Sequence, residues 1–302
     1  PSPYGVGTLG KAAYDFIDFL HRSKIGVWQI LPLLPTNYGD SPYQSCCASA
    51  LNYYFIDFEL LREEGLLQRE DYASIDWGSD PRRVDYGKLF LHKAEVLRKA
   101  FSNFDRRDET FQTLLKEGTY RDFAIFMTLK GMHGNRAWQE WPKEYRVYNE
   151  ETVSRFERDH EEDVLFWQFT QFLFLRQWDA MKAYAVKNGV SIMGDMPLYI
   201  AYDSVEVWKY GSKLFRLDED KNPVLVAGVP PDAFSDEGQL WGNPVYDWEK
   251  MKRDGYAWWK ARILYAFRFF DILRIDHFRG FDRYYAIPAE SETAKNGRGE
   301  DG

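Results

Sequence analysis

The sequence is poor in cysteine, because its 302 residues include only two, the adjacent Cys46 and Cys47. Neighbouring cysteines rarely form a disulfide, since the small ring that results is strained. Two cysteines are also too few for a zinc site, which needs several spaced ligands. A chain with so little cysteine suits a reducing compartment, and we expect this one to be cytoplasmic.

Long apolar runs and clusters of basic residues are absent as well. No apolar stretch approaches the roughly 20 residues that cross a bilayer, and no signal-peptide pattern opens the chain. The five histidines are scattered, and neither an HExxH motif nor an Asp-rich loop occurs. Lys and Arg are dispersed within a formal net charge of −8, which argues against a polyanionic partner. We therefore predict no nucleic acid, no membrane, no metal and no cofactor, and we make no prediction of the oligomeric state.

Aromatic residues, in contrast, are abundant, with 11 Trp, 20 Tyr and 22 Phe making up 18% of the chain. Most of these rings are expected to fill a hydrophobic core, because each can bury a large apolar area. A minority could instead serve as stacking platforms for sugar rings. Composition alone leaves both interpretations open.

Three apolar segments predict buried strands, at 25–35, at 190–200 and from residue 269 onward. Residues 58–189 show mostly helical periodicity and are too long for a simple crossover. Strands this apolar are typical of a parallel sheet covered by helices. The segment 228–247, rich in Gly and Pro, predicts a long loop without regular structure. The pattern therefore predicts an α/β fold with a large helical insertion.

The segment 5–10, "GVGTLG", matches the G-x-G-x-x-G fingerprint of dinucleotide-binding proteins. That fingerprint has meaning only after a strand, with an acidic residue about 20 positions further on. Here Pro-Ser-Pro-Tyr precedes the motif, and the region near residue 30 reads "WQILPL". We therefore reject a nucleotide site.

Two of the predicted strands carry an aspartate near the end, Asp195 and Asp276. Strand alternation places Arg274 and Asp276 on one face, about 6–7 Å apart, a gap that an arginine side chain can cover. A guanidinium at this distance favours the ionised carboxylate, which is the form that a carboxylate nucleophile requires. A purely structural ion pair fits the spacing equally well, so the spacing alone does not decide.

The stretch "LRIDHFRG" (273–280) closely resembles the nucleophile strand of the 4-α-glucanotransferases of the amylomaltase family, glycoside hydrolase family 77. Further blocks resemble that family in the same order, and together they span nearly the whole chain: "PSPYGVGTLG", "WQILPLLPTNYGDSPYQS", "GDMPLYIAYDSVEVW", "GVPPDAFSDEGQLWGNPVYDW" and "YYAIPA". Agreement of so many spaced blocks by chance is negligible.

The resemblance implies an enzyme that moves α-1,4-glucan segments between malto-oligosaccharides by a retaining double displacement. It assigns Asp276 as the nucleophile that forms a covalent glucosyl intermediate and Arg274 as the residue that steadies it. Strand alternation, however, points the neighbouring His277 away from Asp276. The positions that the resemblance assigns to substrate binding are Ser41, Tyr43, Asp195, Asp232, Phe234, Gln239, Trp241, Asn243 and His277.

The resemblance also implies a partial (β/α)8 TIM barrel with an inserted helical subdomain. Residues 1–57 would form the N-terminal part of the catalytic barrel, and 58–189 the mostly helical insertion. Residues 190–302 would contribute barrel strands, the nucleophile strand and a lid loop that carries Asp232, Phe234, Gln239, Trp241 and Asn243. A closed, aromatic-lined site under such a lid would exclude water and favour transfer over hydrolysis.

A retaining enzyme needs a second carboxylate as acid/base. In this family it is a Glu on the strand after the nucleophile strand, and we expect the chain to end before that strand. Glu290, Glu292 and Glu300 are the Glu residues after Asp276, and the resemblance supports none of them in that role. Two alternatives stay open: a hydrolase of the α-amylase type, and a non-catalytic glucan-binding fragment.

Overall fold

The computed structural model describes residues 3–37, 39–80 and 82–302 and shows a mixed α/β fold. The α-helices are α1 (Lys11–Arg22), α2 (Phe58–Glu63), α3 (Tyr86–Ser102), α4 (Glu109–Glu117), α5 (Arg121–Met132), α6 (Lys143–Arg146), α7 (Glu150–Asp159), α8 (Glu161–Lys187), α9 (Val205–Tyr210), α10 (Trp248–Arg253) and α11 (Ala257–Phe269). The strands are β1 (Val27–Gln29), β2 (Ser191–Met196), β3 (Leu225–Val229), β4 (Gln239–Pro244), β5 (Ile272–Ile275), β6 (Arg283–Pro288) and β7 (Arg298–Asp301). Within the described ranges, no helix has both the length and the apolar character needed to cross a membrane.

The three strands predicted from the apolar segments form one sheet, in the order β1-β2-β5. The prediction that all three are buried was wrong, because only β2 is mostly buried, whereas the residues of β1 and β5 are exposed or half-buried. Strands β2 and β5 run parallel, with Asp195 opposite Arg274 in the register. The Asp276 N–H extends this pairing by donating to the Met196 carbonyl at 3.0 Å. Parallel pairing brings the carboxyl ends of both strands to one edge of the sheet, where Asp195 and Asp276 lie.

A second sheet is antiparallel, with the strand order β4-β3-β6-β7. It shows that the prediction of an irregular loop over 228–247 was wrong, because β3 and β4 form a hairpin whose connection is only 230–238. Gly228 permits this pairing, since a Cβ there would lie 2.1 Å from the Gln239 carbonyl oxygen. The glycine that indicated a loop instead allows two backbones to approach closely.

The chain divides into two compact units, which alternate along the sequence. The first comprises 1–29, 50–132 and 154–192, and the second comprises 30–49, 133–153 and 193–302. The boundaries of these units differ from the expected segments 1–57, 58–189 and 190–302. That three-part division stays a prediction.

Aromatic rings from several helices fill the core of the first unit. Phe169 on α8 lies 5.1 Å from Phe101 and 4.8 Å from Phe104, measured between ring centroids. One turn further along α8, the ring of Phe172 lies 5.3 Å from that of Phe111. Here the aromatic residues have the ordinary role of core packing, as we expected for most of them.

The first unit also buries a lysine side chain. Lys93 on α3 is fully buried, and its Nζ donates to the Ile56 carbonyl at 2.6 Å. The same ammonium lies 3.9 Å from the centroid of the Phe58 ring. Burial lowers the pKa of Lys93 to about 7, and the nearby Asp57 carboxylate opposes that shift only in part. This lysine therefore makes the stability of the unit dependent on pH.

Candidate active site

The site lies in the second unit, at the carboxyl edge of β2 and β5, where one guanidinium bridges two carboxylates. Arg274 donates from Nη1 to Asp195 Oδ1 at 2.7 Å and from Nη2 to Asp276 Oδ1 at 2.9 Å. The parallel register places Asp195 beside Arg274, and the period-two geometry of β5 places Asp276 on the same face. The ion pair with Asp195, followed by that with Asp276, raises the pKa of Arg274.

The two carboxylates differ sharply in exposure. The side chain of Asp195 is 2% exposed, whereas that of Asp276 is 40% exposed. A buried carboxylate whose oxygens are bonded can position a neighbour, but a substrate cannot reach it for covalent attack. Of the two, only Asp276 has the access that a nucleophile needs.

Tyr43 completes the hydrogen bonds of Asp195. Its hydroxyl donates to Asp195 Oδ2 at 2.5 Å, so both oxygens of that carboxylate are used by the protein. Burial, together with this bond, raises the pKa of Tyr43 to about 12, and the hydroxyl stays protonated at neutral pH. The segment that carries it is folded by local bonds, including one from the Tyr43 N–H to Ser41 Oγ at 3.3 Å.

Asp276 opens onto a cavity of about 310 Å³. The cavity is lined by Ser41, Tyr43, Gln44, Pro197, Leu198, Tyr199, Trp241, Asn243, Asp276 and His277. Six of these lining residues were assigned to catalysis or substrate binding from the resemblance. The cavity therefore collects residues that lie more than 230 positions apart in the sequence.

Three rings form an aromatic wall of this cavity. The ring of Trp241 meets that of His277 edge-on, with 5.0 Å between centroids. Tyr199 lies 6.2 Å from each of them. Sequence patterns did not single out Tyr199, although it stands in the same "GDMPLYI" block as Asp195, a block that resembles the amylomaltase family. Such a wall suits stacking against the apolar face of a sugar ring.

His277 faces the cavity, contrary to the direction that strand alternation predicted. Strand β5 ends at Ile275, and His277 adopts a left-handed backbone conformation with φ of 51°. This conformation breaks the alternation and turns the imidazole toward Trp241. Burial lowers the pKa of His277, with Arg279 adding to the effect and Asp276 opposing it. Within the part of the chain that the structure describes, its buried Nε2 has no hydrogen-bond partner.

The residues assigned to the lid separate into two groups. Asn243 is 3% exposed and its amide bonds to the protein, whereas Phe234 is 97% exposed at the turn between β3 and β4. Asp232 shapes that turn, because its Oδ1 accepts from the Phe234 and Ser235 N–H groups. Gln239 accepts from Trp241 Nε1 at 3.0 Å. In this structure Asp232, Phe234 and Gln239 lie outside the residues that line the cavity.

A buried arginine supports the cavity from behind and was not found by sequence reasoning. Arg262 on α11 donates from Nη1 to the Leu198 carbonyl at 3.0 Å and from Nη2 to the Pro197 carbonyl at 2.6 Å. The Tyr246 hydroxyl donates to the same Leu198 carbonyl at 2.8 Å. These bonds satisfy the carbonyls of Pro197 and Leu198 in the turn that follows β2.

The carboxylate of Glu300 is held by neighbouring side chains. Its carboxylate accepts from Arg216, from the Tyr284 hydroxyl at 3.0 Å and from Arg298 at 2.9 Å. Burial alone would raise the pKa of Glu300, but the bonds from Arg298, Tyr284 and Arg216 outweigh it and lower that pKa. A carboxylate held in the ionised form is a poor proton donor, so Glu300 does not fit the role of general acid.

The chain is similar to known 4-alpha-glucanotransferases in both sequence and structure. The sequence model of glycoside hydrolase family 77, described as 4-alpha-glucanotransferase, matches residues 1–302. The chain therefore belongs to the 4-alpha-glucanotransferase family.

Individual relatives agree with this assignment. The chain is 42% identical to the 4-alpha-glucanotransferase of Clostridium butyricum, covering 99% of the chain and 62% of that protein. It is 45% identical to the enzyme of the same name from Thermus thermophilus, covering 99% of the chain and 60% of that protein. The amylomaltase of Streptococcus agalactiae, solved in complex with acarbose, superposes with a TM-score of 0.95 at 44% identity and covers 100% of the chain. The chain thus spans 60–62% of the length of these relatives.

Proposed function

We propose that this chain provides the nucleophile half of a 4-α-glucanotransferase, which moves α-1,4-glucan segments between malto-oligosaccharides. The observation that carries the proposal is the accessible Asp276, which is held by Arg274 and opens onto a cavity with an aromatic wall. Membership of the family supports the same assignment. The neighbour solved with acarbose, at 44% identity, supports an oligosaccharide as the ligand of this cavity.

We further propose that β1, β2 and β5 are consecutive strands of a (β/α)8 barrel. The strand order β1-β2-β5, the parallel pairing of β2 with β5 and the TM-score of 0.95 to an amylomaltase support this architecture. In such a barrel the catalytic groups lie at the carboxyl ends of the strands, which is where Asp195 and Asp276 are. The helices within 58–189 would then form an insertion between the first two of these strands.

The proposed reaction has two displacements at the anomeric carbon. In the first, a carboxylate oxygen of Asp276 attacks that carbon, the glycosidic bond breaks, and the departing oxygen takes a proton from a general acid. In the second, a hydroxyl of an acceptor sugar attacks the glucosyl ester, gives its proton to the same group and releases Asp276. Arg274 engages Oδ1 of Asp276, which leaves Oδ2 as the attacking oxygen.

Since the chain spans only 60–62% of the length of its relatives, we propose that it belongs to a longer protein whose remaining part supplies the general acid. Glu300 is bound in its ionised form, and neither Glu290 nor Glu292 is among the residues that line the cavity. Without an acid the leaving oxygen cannot be expelled efficiently. We therefore expect the 302-residue chain to bind glucans without turning them over.

The aromatic wall supports transfer rather than hydrolysis. Trp241, Tyr199 and His277 line the same cavity as Asp276 and contact one another, which offers an apolar surface to an acceptor sugar beside the proposed nucleophile. The exposed Phe234 offers a further ring to an acceptor chain. Excluding water from a glycosyl-enzyme gives a sugar hydroxyl the advantage as acceptor.

The test incubates the longer protein with maltotriose and separates the products by chromatography. We expect glucose together with a ladder of oligomers longer than the substrate, and no reaction with Asp276→Asn. Hydrolysis products without lengthened chains would instead favour an α-amylase-type hydrolase. The 302-residue chain should give no turnover, and turnover that is lost in its Asp276→Asn variant would refute the proposal of an external acid.

A further inference from the structure

Two amide side chains beside the cavity exchange a reciprocal pair of hydrogen bonds. Gln44 Nε2 donates to Asn243 Oδ1 at 3.0 Å, and Asn243 Nδ2 donates to Gln44 Oε1 at 3.1 Å. Each amide also bonds to a backbone carbonyl, Gln44 to that of Trp241 at 3.1 Å and Asn243 to that of Ile200 at 3.0 Å. Four bonds thus join the 41–45 segment, the turn after β2 and strand β4.

This amide pair lies between two side chains that shape the cavity. Gln44 follows Tyr43, whose hydroxyl must reach Asp195 across 152 positions of sequence. The carbonyl that Gln44 binds belongs to Trp241, whose ring meets His277. Any shift of the 41–45 segment relative to β4 would therefore change the gap between Tyr43 and Trp241 and disturb the bond to Asp195.

The amide of Asn243 is used within the protein. Both hydrogens of its Nδ2 are donated, one to Gln44 and one to the Ile200 carbonyl. A primary amide nitrogen has only two hydrogens, so Asn243 has no donor left for a sugar hydroxyl. Asn243 therefore lines the cavity without donating a hydrogen bond from its amide to a sugar.

We propose that Gln44 and Asn243 are positioning residues that set the gap between Tyr43 and Trp241 and thereby the affinity of the cavity for an α-glucan ring. The affinity part of this inference rests on the proposed function. The amide chemistry is essential, because a carboxylate at either position would turn donors into acceptors. Gln44→Glu would then face two oxygens, Asn243 Oδ1 and the Trp241 carbonyl, with nothing to donate.

The first experiment titrates the 302-residue chain with acarbose by calorimetry. We expect the Kd of Gln44→Glu and of Asn243→Asp to rise by roughly tenfold or more, since each variant loses two hydrogen bonds at unchanged volume. The double variant Gln44→Asn with Asn243→Gln keeps the total side-chain length and both amides, so it should recover most of the affinity. Asn222→Ala is the control, because its amide bonds to Asp218 and Tyr202, which lie outside the cavity lining.

The second experiment measures position without a ligand. Hydrogen–deuterium exchange of peptides covering 41–45 should speed up in Gln44→Glu and Asn243→Asp, return toward the original rate in the double variant, and stay unchanged in Asn222→Ala. Unchanged exchange in the two carboxylate variants would overturn the proposal. Faster exchange with an unchanged Kd would also overturn it, because the amide pair would then serve packing alone.

The titration tests whether the cavity binds an oligosaccharide, and the exchange rates test whether the amide pair positions the 41–45 segment. A failure of the unmodified chain to bind acarbose would count against an oligosaccharide in this cavity. The positional claim would then be decided by the exchange rates. If the unmodified chain binds and the double variant recovers neither affinity nor protection, a specific amide pairing is refuted.

Discussion

At the scale of single residues, the chemistry of the site depends on how Arg274 is shared. Its planar guanidinium reaches two carboxylates at once, the buried Asp195 and the accessible Asp276. Asp195 is held in turn by the Tyr43 hydroxyl. The buried part of this network orients the arginine, and the arginine orients the exposed carboxylate. A lysine offers a point charge and lacks the rigid fork that spans both partners.

We therefore predict that Arg274→Lys lowers the proposed transferase activity by roughly 100-fold or more, because one of the two carboxylates loses its partner. The rate of glucose release from maltotriose measures this effect. Arg253→Lys, at an exposed position at the end of α10, is the control and should keep full activity. An Arg274→Lys enzyme as active as the original would show that the bidentate geometry is not required.

At the scale of elements, the parallel pairing of β2 and β5 depends on a close approach at Gly194. The Phe270 ring, just before β5, lies so near that a Cβ on Gly194 would be 2.2 Å from its Cδ2 atom. Phe270 is itself buried, so it has little freedom to move away. The register that sets Asp195 beside Arg274 thus depends on the absence of a side chain one residue earlier.

Gly194→Ala should therefore destabilise the chain by about 1–3 kcal/mol, the usual cost of forcing an extra methyl into a packed core. Urea denaturation followed by circular dichroism measures this loss. Gly131→Ala on α5 is the matched control, because a Cβ there meets nothing within 4 Å. That control should be neutral or slightly stabilising, as alanine favours a helix over glycine. Equal stability of Gly194→Ala and the original would contradict the close approach.

At the scale of the whole molecule, buried charge makes stability depend on pH. Lys93 has a pKa of about 7 in the folded chain, against 10.5 for an ordinary lysine. The unfolded chain therefore binds more protons between those two values, and stability rises with pH across that window. The cost of burying the ammonium is complete below about pH 7 and vanishes above about pH 10.5.

Lys93→Met removes this dependence, so the stability of the variant relative to the original should fall as the pH rises from 7 to 10. The expected change is on the order of 3–5 kcal/mol, from a shift of a few pKa units at 1.36 kcal/mol each. Urea denaturation at several pH values gives the two free energies of unfolding. Lys99→Met, at an exposed position of the same helix, should show no comparable slope. If the difference in the free energy of unfolding between Lys93→Met and the original chain does not vary with pH, the lowered pKa of Lys93 is refuted.

Local geometry explains which parts of the structure could be predicted from the sequence. The ion pair of Arg274 and Asp276 follows from the two-residue period of a strand, whatever surrounds it. The apolar runs likewise predicted β1, β2 and β5. The hairpin of β3 and β4 was missed, because glycine and proline mark a loop in most sequences and permit a close strand pairing here. The conformation of His277 was missed for a similar reason, since alternation holds only within a strand.

Motifs and periodicities were sufficient to predict the family, the strands β1, β2 and β5, and the aspartates near the ends of β2 and β5, because these are properties of neighbouring residues. Only the folded chain shows that Arg274 also binds Asp195, that Tyr43 reaches Asp195, and that Gln44 pairs with Asn243. These partners lie 79, 152 and 199 positions apart. Contacts at such separations depend on strand register and on the packing of turns, which no local pattern specifies.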